Sequence, residues 1–277
     1  FNSLMNKHAD AMDNIPEPNV LARASDDEKT AKLLSDVLPV VMEQNNFECM
    51  YSSHWWDKLK NGPAVAGVFW NKDKLNGLGD VEIRNVEILN LFWQPDISDI
   101  QNSENVFHVE RRRNEAVKRE YEELARENMG ESFQLTEYEK EDQPDTANTC
   151  LVVDWYYKVK NGSKTVLHYC KFVNHTVLYA SEDDSAAQDG FYIDGMYPFV
   201  FDVLFPMKGS PAGFGYIDIM RGTQERIDGV GASIAQNAKM RAKKRYFIKG
   251  AGTVNEKEYT DWGKDLVHVE SGSVDDT

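Results

Sequence analysis
The run GFGYIDIMRGTQERIDGVGASIAQNAKMRAKKRYFIK, from Gly213 to Lys249, constrains the fold more than any other stretch of the chain. Tyr216, Met220, Thr223, Ile227, Val230, Ile234, Asn237 and Arg241 recur at alternating steps of four and three. That spacing lines them along one side of a helix, as a seam that packs against a neighbouring helix. The expectation is a single helix from about Gly215 to Arg245, roughly 45 Å long at 1.5 Å per residue. A small domain cannot cover such a length. Gly222, Gly229 and Gly231 each cost about 1 kcal/mol relative to Ala inside a helix. They point to close approach by a neighbouring backbone, to a bend, or to two shorter helices.

Charge is distributed unevenly along this segment. The chain holds 31 Lys and Arg against 46 Asp and Glu, a net charge of −15. Yet no acid occurs between Gly229 and Asn255, while Lys239, Arg241, Lys243, Lys244, Arg245 and Lys249 all fall there. One reading is a solvated C-terminal turn whose cations suit the helix dipole. The other is a contact surface for a polyanion or an acidic partner.

The rest of the chain reads as mixed α+β. Ser25-Asp26-Asp27-Glu28 has the form of a capping box opening a helix from about Asp26 to Gln44. That helix is expected to bury Leu33, Leu34, Val37, Leu38 and Val41 and to kink at Pro39. Ala64–Trp70 and Asp80–Trp93 read as strands joined by a turn, and Val106–Glu110 as a short strand. Arg113–Asn128 reads as a charged helix with Val117, Tyr121 and Leu124 on one face. Glu137–Thr149 is polar and acidic, a linker. Cys150–Val159, Thr165–Val173 and Thr176–Tyr179 read as strands separated by the turns KNGS and VNH. An acidic loop, SEDDSAAQDG, follows. FYIDGMYPFVFDVLFP reads as extended and GSPAGFG as a hinge, and beyond Lys249 turn and strand propensity returns.

No apolar run reaches the roughly 18–20 residues that span a bilayer, and the first residues lack a signal-peptide pattern. Cys49, Cys150 and Cys170 are irregularly spaced, which suggests free thiols in a reducing compartment. Phe1 in place of Met and the polar ending SGSVDDT suggest a fragment of a longer protein. Neither phosphate-binding glycine motif occurs, and the six histidines never take helical zinc spacing. His168 and Cys170 share one face of a strand, either as a metal or nucleophile pair or as a core thiol beside a satisfied histidine. Asp183, Asp184 and Asp189 either hold a divalent ion or form a solvated loop. No carboxylate pair is spaced for acid–base work. The expectation is no enzyme, no cofactor and no metal site.

Four stretches together resemble the portal proteins of tailed bacteriophages. NKHADAMDNIPEPNVLARASDDEKTAKLLSDVLPVVMEQNNF resembles the N-terminal helical region of one group. GDVEIRNVEILNLFWQPDISDIQNSENVFHVERRRNEAVKREYEE resembles the wing, where a strand, a Pro-Asp turn and a strand precede a charged helix. MYPFVFDVLFPMKGSPAGFGYID resembles the lead into the stem. DIMRGTQERIDGVGASIAQNAKMRAKKRYFIKGAG resembles the first stem helix and its exit into the clip.

The resemblance implies a helical region at 1–50, a strand-rich wing at 51–212 with peripheral helices, a stem helix at 213–245 and a truncated clip from 246 to 277. It implies a non-enzymatic ring subunit, usually one of twelve, at a capsid vertex of the virion, assembled in the host cytoplasm. Double-stranded DNA, the terminase large subunit, a head–tail adaptor and capsid or scaffolding protein would be its partners, with no membrane. On this view Tyr216, Met220, Ile227, Val230 and Ile234 pack the stem. Lys239, Arg241, Lys243, Lys244, Arg245 and Lys249 face the DNA channel or an adjacent subunit. The alternative is a non-catalytic head or tail adaptor that docks acidic partners through the basic helix.

Overall fold
The computed structural model describes residues 2–121, 130, 133, 135, 148–162, 164–187, 190–242, 246–249, 256–261, 263 and 266–269. Two compact units divide the chain, Phe1–Asp218 and Ile219–Thr277.

In the first unit, helices α1 (Asn2–Met12), α2 (Glu28–Gln44) and α3 (Phe47–Asn61) precede strand β1 (Pro63–Asn71). A short turn, α4 (Lys74–Gly77), left-handed at Leu75 and Asn76, leads to β2 (Asp80–Val86), followed by β3 (Leu91–Trp93) and β4 (Asn105–Arg113). After α5 (Asn114–Glu120) come β5 (Thr149–Asn161), β6 (Lys164–Val173), β7 (Thr176–Ala180), β8 (Phe199–Val203), β9 (Phe205–Met207) and β10 (Ser210–Phe214). The long helix α6 (Tyr216–Ala242) starts here. The second unit adds β11 (Tyr246–Lys249), α7 (Glu256–Thr260) and β12 (Leu266–Val269), with β11 and β12 paired in parallel.

An antiparallel sheet of five strands runs in the order β3-β4-β5-β6-β7, and one of three runs β2-β1-β8. Tight turns set the register of the larger sheet. Gly162 at φ +63° turns β5 into β6, and Asn174 at φ +51° turns β6 into β7. Both positions need the left-handed region that Gly and Asn tolerate best. The two sheets share one core. Val65, Val86 and Phe199 of the smaller sheet meet Val106, Tyr156, Leu167 and Tyr169 of the larger. Tyr156 meets Phe199 edge-on at 5.4 Å. Each such side chain, taken fully out of water, contributes roughly 1.5–3 kcal/mol. Val117 of α5 covers Cys150, Val152 and Val173, and a third cluster joins Val109, Leu151 and Val153.

The mixed α+β architecture, the strand–Pro-Asp turn–strand order and the three-strand meander β5–β7 match the sequence reading. Several details differ. The stretch from Asp80 to Trp93 breaks at Glu87–Asn90, so β2 and β3 belong to different sheets. GSPAGFG holds β10, paired with β9, rather than a hinge alone. At the start of α2 a 3₁₀ turn, Ser25–Asp27, replaces the capping box, and no side chain caps the helix. Leu33, Leu34 and Val37 are exposed, not buried, and Leu38 and Val41 are half-buried. The amphipathic pattern is real, but nothing among the described residues covers that face. Leu124 and residues 137–147 of the expected linker lie outside the described residues, while Thr149 opens β5.

Candidate functional site
Two glycines fix the root of α6. Gly62, the C-cap of α3 at φ +96°, would place a Cβ 2.2 Å from the Phe214 carbonyl carbon. Gly215 would place one 2.7 Å from the Gly62 nitrogen. Only glycine on both sides lets these backbones approach so closely. Asp218, three residues into the helix, accepts a hydrogen bond from the Gly215 N–H at 2.9 Å, the reciprocal half of a capping box. Phe205 stacks on Phe214 and meets Tyr216 edge-on, both at 5.3 Å. Lys7 of α1 sits 4.7 Å above the Tyr216 ring. The first turn of α6 is thereby clamped from α1, α3 and the β9–β10 hairpin.

Beyond that turn none of the residues of the helix is buried among the described residues. Tyr216 and Met220 of the seam are half-buried, whereas Ile227, Val230 and Ile234 are 59%, 60% and 64% exposed. A helix of this kind is marginal by itself in water and depends on packing along its apolar stripe. Added Cβ atoms at Gly222, Gly229 and Gly231 would meet nothing within 4 Å, so none of these glycines serves a contact among the described residues. Arg221 pairs with Glu225 at 3.0 Å, and Gln224 donates to Asp228 at 2.8 Å.

Lys239 and Arg241 are exposed in the last turn of α6, and neither forms an ion pair among the described residues. Two residues along a helix turn the chain by about 200°, so these cations leave from faces about 160° apart. Arg241, seven residues after Ile234, continues the apolar seam. Lys239 lies on the side of Arg221, Glu225 and Asp228. Lys243, Lys244 and Arg245 lie outside the described residues. The segment does not stay helical to Lys249, because Tyr246–Lys249 forms β11.

The first unit contains two polar networks that the sequence did not announce. Asp154 of β5, buried, receives the Tyr169 hydroxyl at 2.6 Å and lies 3.3 Å from His108 Nδ1 and 3.6 Å from Lys171 Nζ. Burial opposes its charge, but His108, Lys171 and Tyr169 prevail and hold the carboxyl below its ordinary range. Asp202 of β8 binds Lys58 at 2.7 Å and lies 3.5 Å from His54. His54, foremost, and Lys58 lower its pKa to about 2 against the opposing effect of burial. His54 also meets Asn85 of β2 at 3.1 Å, so α3 is tied to both edges of the small sheet.

His168 Nδ1 lies 3.2 Å from the Ser181 hydroxyl, and Cys170 beside it is a buried free thiol whose pKa burial raises. That is a satisfied histidine next to an inert core cysteine. Asp184 accepts from the Ala186 N–H and the Tyr179 hydroxyl, as a loop-fixing carboxylate does. Asp189 lies outside the described residues. Among the described residues no three His, Cys, Asp or Glu converge in a way that could hold a metal ion. No described helix is long and apolar enough to cross a membrane.

Compared with known proteins, residues 9–196 match the model of the family described as phage P22-like portal protein. No curated protein matches the chain.

Proposed function
Since the chain belongs to the P22-like phage portal protein family, a structural family, we propose that it is a portal ring subunit through which double-stranded DNA enters and leaves the capsid. In this reading residues 1–50 are the N-terminal helical region, 51–212 the wing, 213–245 the stem helix and 246–277 the start of the clip. The family match ends before α6, so the stem role rests on the helix itself.

The observation that carries it is α6. Twenty-seven residues run from a clamped root, with an apolar stripe exposed on one side and charged residues on the other. A contiguous apolar stripe left in water favours a partner that covers it. A heterologous contact repeated around a closed ring supplies that cover. The opposite face is suited to a polyanion in transit. The acids Asp218, Glu225 and Asp228 limit adhesion to phosphate, and the cations at the far end offer brief contact. Each phosphate neutralised steepens the salt dependence of binding by about 0.9 in the log–log slope, so a tight grip would stall passage.

The ring would hold about twelve copies in the virion, as the family resemblance implies, after assembly in the host cytoplasm. Terminase, a head–tail adaptor and capsid or scaffolding protein would dock on it, and it would carry out no chemistry. The family match supports this reading over a head or tail adaptor. Imaging of the purified full-length protein tests it. Closed rings with a central hole are expected, and monomers or small open oligomers would overturn it.

A further inference from the structure
His54 of α3 is only 7% exposed, and both of its ring nitrogens face oxygen. Nδ1 lies 3.1 Å from Asn85 Oδ1 of β2, and Nε2 lies 3.5 Å from Asp202 Oδ2 of β8. Their surroundings fix both oxygens as acceptors. The Asn85 amide nitrogen donates to the Met50 carbonyl at 3.0 Å, which leaves the amide oxygen as the atom turned to the ring. Asp202 titrates at about 2, so its carboxylate has no proton to offer.

A neutral imidazole carries one N–H and one lone pair. It can donate to Asn85 or to Asp202, and it then turns its lone pair on the other oxygen. Only the imidazolium donates to both. Burial sharpens the choice, because little water reaches the ring to serve a nitrogen left facing the wrong partner.

The groups around the ring come from three elements. β8 supplies the carboxylate of Asp202, and β2 supplies the neutral Asn85. Lys58, one turn along α3, takes the other Asp202 oxygen at 2.7 Å. Loss of the ring proton therefore leaves Lys58 on Asp202 but frees one of the two ties that His54 makes to the sheet. Another histidine touches α3 from α1. His8 stacks on Trp56 at 4.6 Å, with Nε2 3.1 Å from the Ser52 carbonyl oxygen. Those contacts use one nitrogen, and a neutral ring satisfies them.

We propose that His54 is a proton-operated latch that fastens α3 onto the small sheet. It is closed as the imidazolium, bound to Asn85 and Asp202 together, and it loosens when the ring becomes neutral. The helix it fastens ends at Gly62, whose backbone abuts Phe214 and Gly215, so the latch sets how firmly the root of α6 is held. A histidine bound by the fold in its charged form lends stability that is present at low pH. That stability is lost as pH rises through the range, about 5–8, in which histidine gives up its proton. The proposal does not rest on the reading of the chain as a ring subunit.

Hydrogen–deuterium exchange on the full chain tests it, read by mass spectrometry on fragments covering residues 51–61 and corrected for the intrinsic pH dependence of amide exchange. Opening of α3 should rise about tenfold between about pH 5.5 and pH 8.5. His54→Gln, neutral at every pH, should open more readily at low pH and show no further rise. Asn85→Asp sets a second carboxylate against the ring and should move the rise to higher pH. That variant also loses the bond to Met50, so the pH of the rise is read rather than its extent. Opening of the native chain that does not change with pH overturns the proposal. So does an equal rise in His54→Gln, which would assign the effect to His8, or a rise at unchanged pH in Asn85→Asp.

Discussion
Asp154 shows how a buried carboxylate becomes a structural part rather than a reactive one. Its two oxygens are taken up by Tyr169, His108 and Lys171, from three neighbouring strands counted with its own. Removing one member of such a buried set costs about 3–5 kcal/mol, because the others stay buried without their partner. Asp154→Ala should lower unfolding stability by that order in chemical denaturation. Asp202 allows a sharper test, because its pKa is displaced and it is partly exposed. An ordinary aspartate titrates near 3.8, and Asp202 does so at about 2. A depressed carboxylate lends stability that is whole above the ordinary value and is lost as pH falls toward the folded one. Solvent screening at its 42% exposed side chain keeps the effect at about 1 kcal/mol. Unfolding free energies from urea titrations of the native chain and Asp202→Asn should differ by that amount at pH 7. The gap should narrow below pH 4 and close near pH 2; a gap constant with pH would remove the His54–Lys58 pairing as its cause.

Among the elements, α6 is the one whose glycines separate two roles. At its root Gly62 and Gly215 are required by geometry, so Gly62→Ala should destabilise the first unit by about 2 kcal/mol or more, from strain at positive φ and a clash with backbone. Along the helix Gly222, Gly229 and Gly231 stand in open space. Replacing all three by Ala should raise helicity in circular dichroism, at about 1 kcal/mol per site. If it also lowers ring yield, the glycines admit a neighbouring backbone; unchanged ring yield would leave them without that purpose. The same contrast explains what could be read before the structure. β5, β6, β7 and α6 were legible, because period-two and heptad spacing are local properties. The exposure of Leu33, Leu34 and Val37 is not legible for a related reason: a stripe states that a face suits cover, not which molecule covers it. The Asp154 network was invisible, since register, not spacing, brings His108 and Asp154 opposite each other across β4 and β5.

At the scale of the whole molecule, the cations of α6 decide between two surfaces in the proposed ring. If the apolar seam of Ile227, Val230 and Ile234 faces protein, Arg241 faces protein too, being one heptad beyond Ile234. Lys239 then faces water, in line with Arg221, Glu225 and Asp228. The two single variants should therefore fail in different ways. Arg241→Gln should loosen the ring, measured as mass in solution. A surface pair lost at one contact is worth only about 0–1 kcal/mol, but a closed ring repeats the loss at every interface. Lys239→Gln should leave ring mass unchanged and alter DNA packaging, with an effect that fades as salt screens phosphate over the Debye length of about 10 Å at 0.1 M. The triple change of Lys243, Lys244 and Arg245 to Gln extends the test to the rest of the run. Intact rings with impaired packaging would place that run on the channel side, and weakened rings would place it against the adjacent subunit's acids. Normal mass and normal packaging in all three variants would leave the basic end of α6 as a dipole-stabilised helix terminus with no partner at all.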